Sequence, residues 1–323
     1  MQNLTRPIPT PTVNRSKGLI FFLCFASLLP LVSVPILAGW SSSVSVSTFF
    51  TINFIASFCH VGATSFFYTD SKLRSFMCKN ARIYFWIPIL LVIGAVTIYA
   101  FLPTGIVLNL LLPYFIWQTW HYQKQNLGVL SFVAKLTDSG RVTRIERLLL
   151  NTGVIAGILG FFKINFLGQH LVFQESFDAL YRLGFLLMFG LAALFCYALV
   201  AEPQILKSPV RLGFLALTSF FYLPTFVFSN PTAAISSYAL AHGLQYLVFM
   251  GFVSKQDSGR GLLQMVALSA IVGSILYACT SVSVLAGIVT GSALAHFVVD
   301  GHIWRMSQPF QREYLSGAFG LRI

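Results

Sequence analysis

An ionisable side chain inside hydrocarbon is rare and expensive unless it is paired or put to use. Five of the six histidines of this chain nevertheless stand within long apolar stretches. They are His60 in His60-Val-Gly-Ala-Thr64, His121 in Trp117-Gln-Thr-Trp-His121, His242 in His242-Gly-Leu-Gln245-Tyr246, and His296 and His302 in His296-Phe-Val-Val-Asp300-Gly-His302. Neutral imidazoles ligate iron, copper and zinc, and a carboxylate beside them favours iron or manganese over copper. A spacing of four sets Asp300 on the helix face of His296, whereas His302 is turned about 240° away. The expected metal ligands are therefore His60, His121, His242, His296 and Asp300. Ligated histidines usually hydrogen-bond through their other ring nitrogen, and Thr64, Gln118, Gln125 and Gln245 are spaced to serve them. Asp300 and Tyr246 are expected to act in catalysis. Taken singly, these residues have plainer readings: a lone histidine bonds a neighbouring helix, Asp300 pairs with Arg305, and Asp70 pairs with Lys72 or Arg74. Four histidines on four stretches favour a shared ion, and His170 is given no role.

Bringing these residues together requires a membrane bundle. Apolar residues make up 56% of the 323 and charged ones only 9%, against about 25% charged in a soluble domain. About ten apolar runs are long enough to cross a bilayer as helices: 18–38, 44–68, 83–102, 104–123, 147–168, 179–201, 210–229, 232–253, 262–281 and 283–306. The first is long for a signal-peptide core and is kept as a helix. All but Lys163 and Arg182 of the 21 Lys and Arg, Arg211 among those counted, lie in connections assigned to the cytoplasm by the excess of positive charge. Both termini then face the cytoplasm, with 1–17 and 307–323 as tails of one transmembrane domain, 1–323, of a bacterial inner membrane. The expected fold is an all-α, polytopic integral membrane helix bundle. Counting about 1.5 Å per residue from the outer ends puts His242, His296, His60 and His121 at depths of about 15, 20, 22 and 25 Å, with Asp300 near the last. The four helices all run inward, so they can stand side by side. The net charge of +12 is spread over short loops, which argues against nucleic acid as a partner. Five cysteines without a C-x-x-C pair imply neither disulfides nor zinc.

In the supply of single histidines His60, His121, His242 and His296 the chain resembles membrane-embedded, histidine-ligated iron oxygenases. In size and in the scatter of those residues it is similar to bacterial carotene-cleaving dioxygenases of the Brp/Blh type. That resemblance implies non-haem iron, dioxygen as co-substrate, and a long apolar lipid or isoprenoid substrate entering from the cytoplasmic leaflet. The H-x3-4-H and H-x2-H-H boxes of desaturases and sterol hydroxylases are absent, so a mononuclear centre fits better than a di-iron one. The reading is a metal-dependent oxidoreductase, with another transition metal or haem left open as cofactor. A multi-pass transporter is one alternative, because ten helices divide into five plus five; the runs that would pair with the second and fourth carry no matching histidine. A single-haem membrane cytochrome, with two of the histidines as axial ligands, is the other. The 32 phenylalanines are expected mostly to face lipid, with some lining a substrate tunnel.

Overall fold

The structure, a computed structural model, describes residues 13–39, 54–163, 174–228, 231–255, 259–279 and 283–319. Among these residues it is all-α, without a strand. The principal helices are α1 (Val13–Gly39), α2 (residues 54–68), α3 (Ser71–Lys79), α4 (residues 82–101), α5 (Thr104–Leu136), α6 (Arg144–Gly160), α7 (Gln174–Ala201), α8 (Pro209–Ser219), α9 (Pro224–Val227), α10 (Pro231–Ser254), α11 (Gly259–Cys279), α12 (Ser283–Ile303) and α13 (Pro309–Phe319). The outer-loop residue His170, the first part of the run 44–68 and the joint at 281–283 fall at least partly outside the described residues.

Among the described residues, four stretches are long and apolar enough to cross a membrane: Gly18–Leu37, Arg82–Phe101, Ser176–Ala201 and Arg260–Cys279. They form much of the outside of the bundle. Phe21, Leu90, Leu186, Phe189, Val200 and Leu263 are each more than half exposed there. Contiguous apolar surface of this extent is stable only against lipid or another apolar partner. This is a membrane protein by the character of its surface.

The expected runs number about ten over the whole chain, and several of those that fall among the described residues differ from expectation for physical reasons. The run 210–229 breaks after Ser219, and Pro224 begins a second piece, leaving helices of 11 and 4 residues. Eleven residues rise only about 16 Å, half of a bilayer core. The histidine-bearing helices carry the polar side chains of the site, which dilute their apolar character. α5 runs on to Leu136 rather than ending near residue 123, for 33 residues in all. The segment read as a C-terminal tail, 307–323, contains α13, whose Leu315, Ser316 and Phe319 are buried. Asp70 forms no ion pair with Lys72 or Arg74; its carboxylate accepts the Leu73 amide at 2.8 Å and caps α3.

The helices pair tightly: α1 on α10, α4 on α12, α6 on α7 and α2 on α11. Glycines permit two of these approaches. A Cβ on Gly291 would stand 2.5 Å from the Val92 Cα of α4, and one on Gly62 would stand 2.8 Å from the Ser269 carbonyl of α11. Small residues at such crossings let backbones touch. The second crossing matters because α2 changes pitch through the site, from a π-turn at Phe54–Cys59 to an α-turn at His60–Ala63 and a 3-10 turn at Thr64–Tyr68. Ser269 Oγ donates to the Cys59 carbonyl at 2.6 Å, satisfying backbone where the pitch changes. π-turns inside helices are frequent at functional sites, and this one immediately precedes His60.

Arg211 is not a cytoplasm-facing loop cation. It lies in α8, fully buried, with Nε 2.9 Å from Glu146 Oε1 and Nη2 2.6 Å from Oε2 of the same carboxylate. Its guanidinium also donates to the carbonyls of Ser139 and Arg141. Glu146 in turn closes a capping box with Thr143 at the start of α6. One fork of charge thereby ties the α5–α6 connection to α8, using geometry that Arg supplies and Lys does not.

Candidate metal centre

His60 of α2, His121 of α5, His242 of α10 and His296 of α12 are all buried and meet in the interior. Their rings form a closed quadrilateral. Ring centres are 5.0 Å apart for His60–His242, 4.9 Å for His242–His121, 5.4 Å for His121–His296 and 4.9 Å for His296–His60. The diagonal His242–His296 measures 6.4 Å. With metal–nitrogen bonds of about 2.1 Å, and ring centres about 1.2 Å beyond the nitrogen, rings at right angles around one ion lie about 4.7 Å apart and opposite rings about 6.6 Å. The tetrahedral spacing is about 5.4 Å on the same geometry. The observed sides lie between the right-angle and tetrahedral spacings, and the diagonal lies close to that of opposed rings.

The donor atoms fall in two triads that share His296. One ligand atom each from His60, His242 and His296 lies within 4.8 Å of the others, and the same holds for His121, His296 and Asp300. The Nε2 atoms of His121 and His296 and both ring nitrogens of His242 are buried without a hydrogen-bond partner among the described residues. An unsatisfied buried polar atom costs about 1–3 kcal/mol, and several in one place are uncommon in a native interior. A cation between the rings would offset most of that cost by taking one lone pair from each, leaving the second nitrogen of His242.

Behind the ligands, Thr64 Oγ1 lies 2.7 Å from His296 Nδ1 and 2.9 Å from the Tyr246 hydroxyl. With Nδ1 protonated and donating to Thr64, Nε2 of His296 keeps its lone pair for the centre. The Asp300 carboxylate stands 3.6 Å from His121 Nε2 through Oδ2, while Trp304 Nε1 donates to Oδ1. Arg305 does not pair with Asp300; its Nε donates to the Gly301 carbonyl at 3.0 Å. His302 stays apart from the cluster, its Nδ1 2.8 Å from the Val298 carbonyl.

Three of the expected hydrogen-bonding neighbours serve other groups. Gln118 donates to the Tyr122 hydroxyl at 2.6 Å. Gln125 donates to the His242 carbonyl at 3.0 Å and to Gln245 at 2.9 Å, and Gln245 passes on to Ser27 and Asn126. None of the three makes a hydrogen bond to a histidine ring among the described residues. The spacing put them on the right face of their own helices, but the neighbouring backbone and each other were closer. Thr64 alone of the four bonds a ring. The expected outcome for Thr64→Val, which keeps the shape and removes the hydroxyl, is metal affinity lowered about 10–100-fold. Competition with a chromophoric chelator measures it, and unchanged affinity would refute the role.

The rings that wall the site were not singled out from the sequence. Tyr122 stacks on His242 at 4.3 Å and Phe297 on His121 at 4.4 Å. The Asp300–Trp304 contact was legible as an i, i+4 pair. The other two contacts join separate helices, and nothing local to either residue announces them.

Two cavities adjoin the cluster. One, of about 50 Å³, touches His60, Tyr114, Gln118, Tyr122 and Phe297. The other, an apolar cleft of about 380 Å³, runs between α4, α11 and α12 along Ile89, Val92, Ile93 and Val272 and reaches Thr64 and His296. Ile89 and Ile93 are exposed, so the cleft opens on the outer face of α4. Its lining is mostly aliphatic, with Tyr68 and His296 as its aromatic rings and no phenylalanine. No protein-family model, curated protein or solved structure matches this chain.

Proposed function

We propose that the chain is a membrane-embedded non-haem metal oxygenase that acts on a long apolar lipid or isoprenoid substrate, with iron as its metal. The observation that carries this reading is the quadrilateral of four buried imidazoles from four helices, with ring nitrogens of His121, His242 and His296 left without a hydrogen bond among the described residues. His60, His121, His242 and His296 would hold the ion, and the nearby Asp300 supplies the carboxylate that favours iron over copper. Bound there, iron supplies a redox-active centre for the activation of dioxygen. Thr64 and Tyr246 fix the orientation of His296, and Trp304 fixes that of Asp300.

The cleft supports the substrate class. Its volume is that of a small-molecule site, about 300–1,000 Å³, its walls are mostly aliphatic, and its mouth opens where lipid would lie. A chain in the bilayer can slide in sideways without crossing water. Oxidative cleavage of a carbon–carbon double bond, the reaction that the resemblance to Brp/Blh-type dioxygenases implies, places one oxygen atom of dioxygen on each carbon and needs no outside reductant. In the same reading the remaining apolar helices complete a bundle of about ten, with both termini and the Lys- and Arg-rich ends toward the cytoplasm of a bacterial cell.

A haem fits this arrangement poorly. Two axial histidines must face each other across an open plane, and here the other two imidazoles stand within about 5 Å of them. Elemental analysis and an absorption spectrum of the detergent-purified protein test the proposal. About one iron per chain and no Soret band is the expected result. A Soret band assigns the protein to the cytochromes, and absence of any transition metal returns the transporter.

A further inference from the structure

We infer that the small chamber beside His60 is a separate docking site for dioxygen, distinct from the cleft that takes the organic substrate. The inference rests on the metal-centre reading above. The chamber and the cleft share Val61 and Leu276 as a partition, and they approach the histidine cluster by different ligands, His60 for the chamber and His296 for the cleft. Tyr122 and Phe297, the rings stacked on His242 and His121, both wall the chamber, so it meets one histidine directly and two others through the rings packed on them.

Size and polarity select the occupant. A water needs about 10–15 Å³ of such space, so about 50 Å³ accepts a diatomic molecule or a few waters and excludes an acyl or isoprenoid chain. Gln118 donates to the Tyr122 hydroxyl oxygen, which leaves the Tyr122 proton to be donated. That proton has no acceptor among the described residues. A small apolar molecule that gains acceptor character as it takes up electrons suits such a room: mostly apolar walls, with one hydrogen-bond donor held in place by its neighbour. Ala293, on α12 three residues before His296, also lines the chamber and is the position at which a larger side chain would fill it.

Two measurements test the assignment. Crystals of the metal-free protein pressurised with xenon, a probe for small apolar cavities, are expected to show xenon in the chamber, and crystals of Ala293→Phe are expected to show none. Nitric oxide, a diatomic stand-in, is titrated into the iron-loaded protein and followed by electron paramagnetic resonance. Its half-saturating concentration is expected to rise at least tenfold in Ala293→Phe at unchanged iron content, and severalfold in Tyr122→Phe, which keeps the stacked ring and should keep the xenon. If Ala293→Phe does not fold, wild-type xenon binding and Tyr122→Phe decide. Water that xenon does not displace, or nitric oxide uptake that neither variant alters, overturns the proposal. A chain that binds no iron defeats the metal-centre reading instead, and the xenon measurement still tests the chamber.

Discussion

Replacing His121 or His296 by Ala is expected to strip the purified protein of metal while leaving the bundle folded. Four-ligand structural sites bind their ion with about 10–16 kcal/mol, so one ligand is worth on the order of 3 kcal/mol, more than a hundredfold in affinity. At the metal concentrations of purification that loss empties the site. Retention of the fold follows from what the rings contact: they touch chiefly one another and the aromatic wall. Removing an imidazole with an orphaned Nε2 also removes a desolvation cost of about 1–3 kcal/mol, which offsets the cavity it leaves. Metal per chain by mass spectrometry and thermal melting in detergent report the two halves. His302→Ala and Asp70→Ala serve as controls, since one ring bonds a helix carbonyl and the other side chain caps α3. Full metal content in His121→Ala and His296→Ala would remove the centre altogether.

The largest effect on stability is expected at Glu146. With Glu146→Leu, the fully buried Arg211 guanidinium loses both carboxylate contacts, and breaking a buried pair from one side costs about 3–5 kcal/mol. The expected readout is a melting transition well below that of the native protein, at unchanged metal content, because the pair ties α6 to α8 and touches none of the ligands. In Arg211→Met/Glu146→Leu the uncompensated charge is gone, and part of the loss should be recovered. The Ser139 and Arg141 carbonyls then lack their donor, which keeps recovery incomplete. A single variant as stable as the native chain would show that the pair does not hold these helices.

Much of the site was readable because membrane helices make polar residues conspicuous. His60, His121, His242 and His296 stand out against their apolar surroundings, and the i, i+4 spacing of His296 and Asp300 put both on one face. The relation of Thr64 to His60 was equally visible. Its partner turned out to be His296, on another helix. Arg211 shows the opposite failure. By composition it is one more cation between apolar runs, and only the position of Glu146, 65 residues away, makes it an interior residue.

Composition and periodicity determined that the chain is helical, that it belongs in lipid, and which side chains on each helix are too polar to face hydrocarbon. Those properties are set by each segment's own residues and solvent. The tertiary structure decided which helices stand together, where α8 stops short, how the pitch of α2 aims His60, and which rings wall the histidines. Side-chain spacing orients a residue about its own helix axis but carries no information on the helix it will meet. That is set by close packing among segments far apart in the chain, here through glycine crossings at Gly62 and Gly291 that let α2 and α12 reach the backbones of α11 and α4.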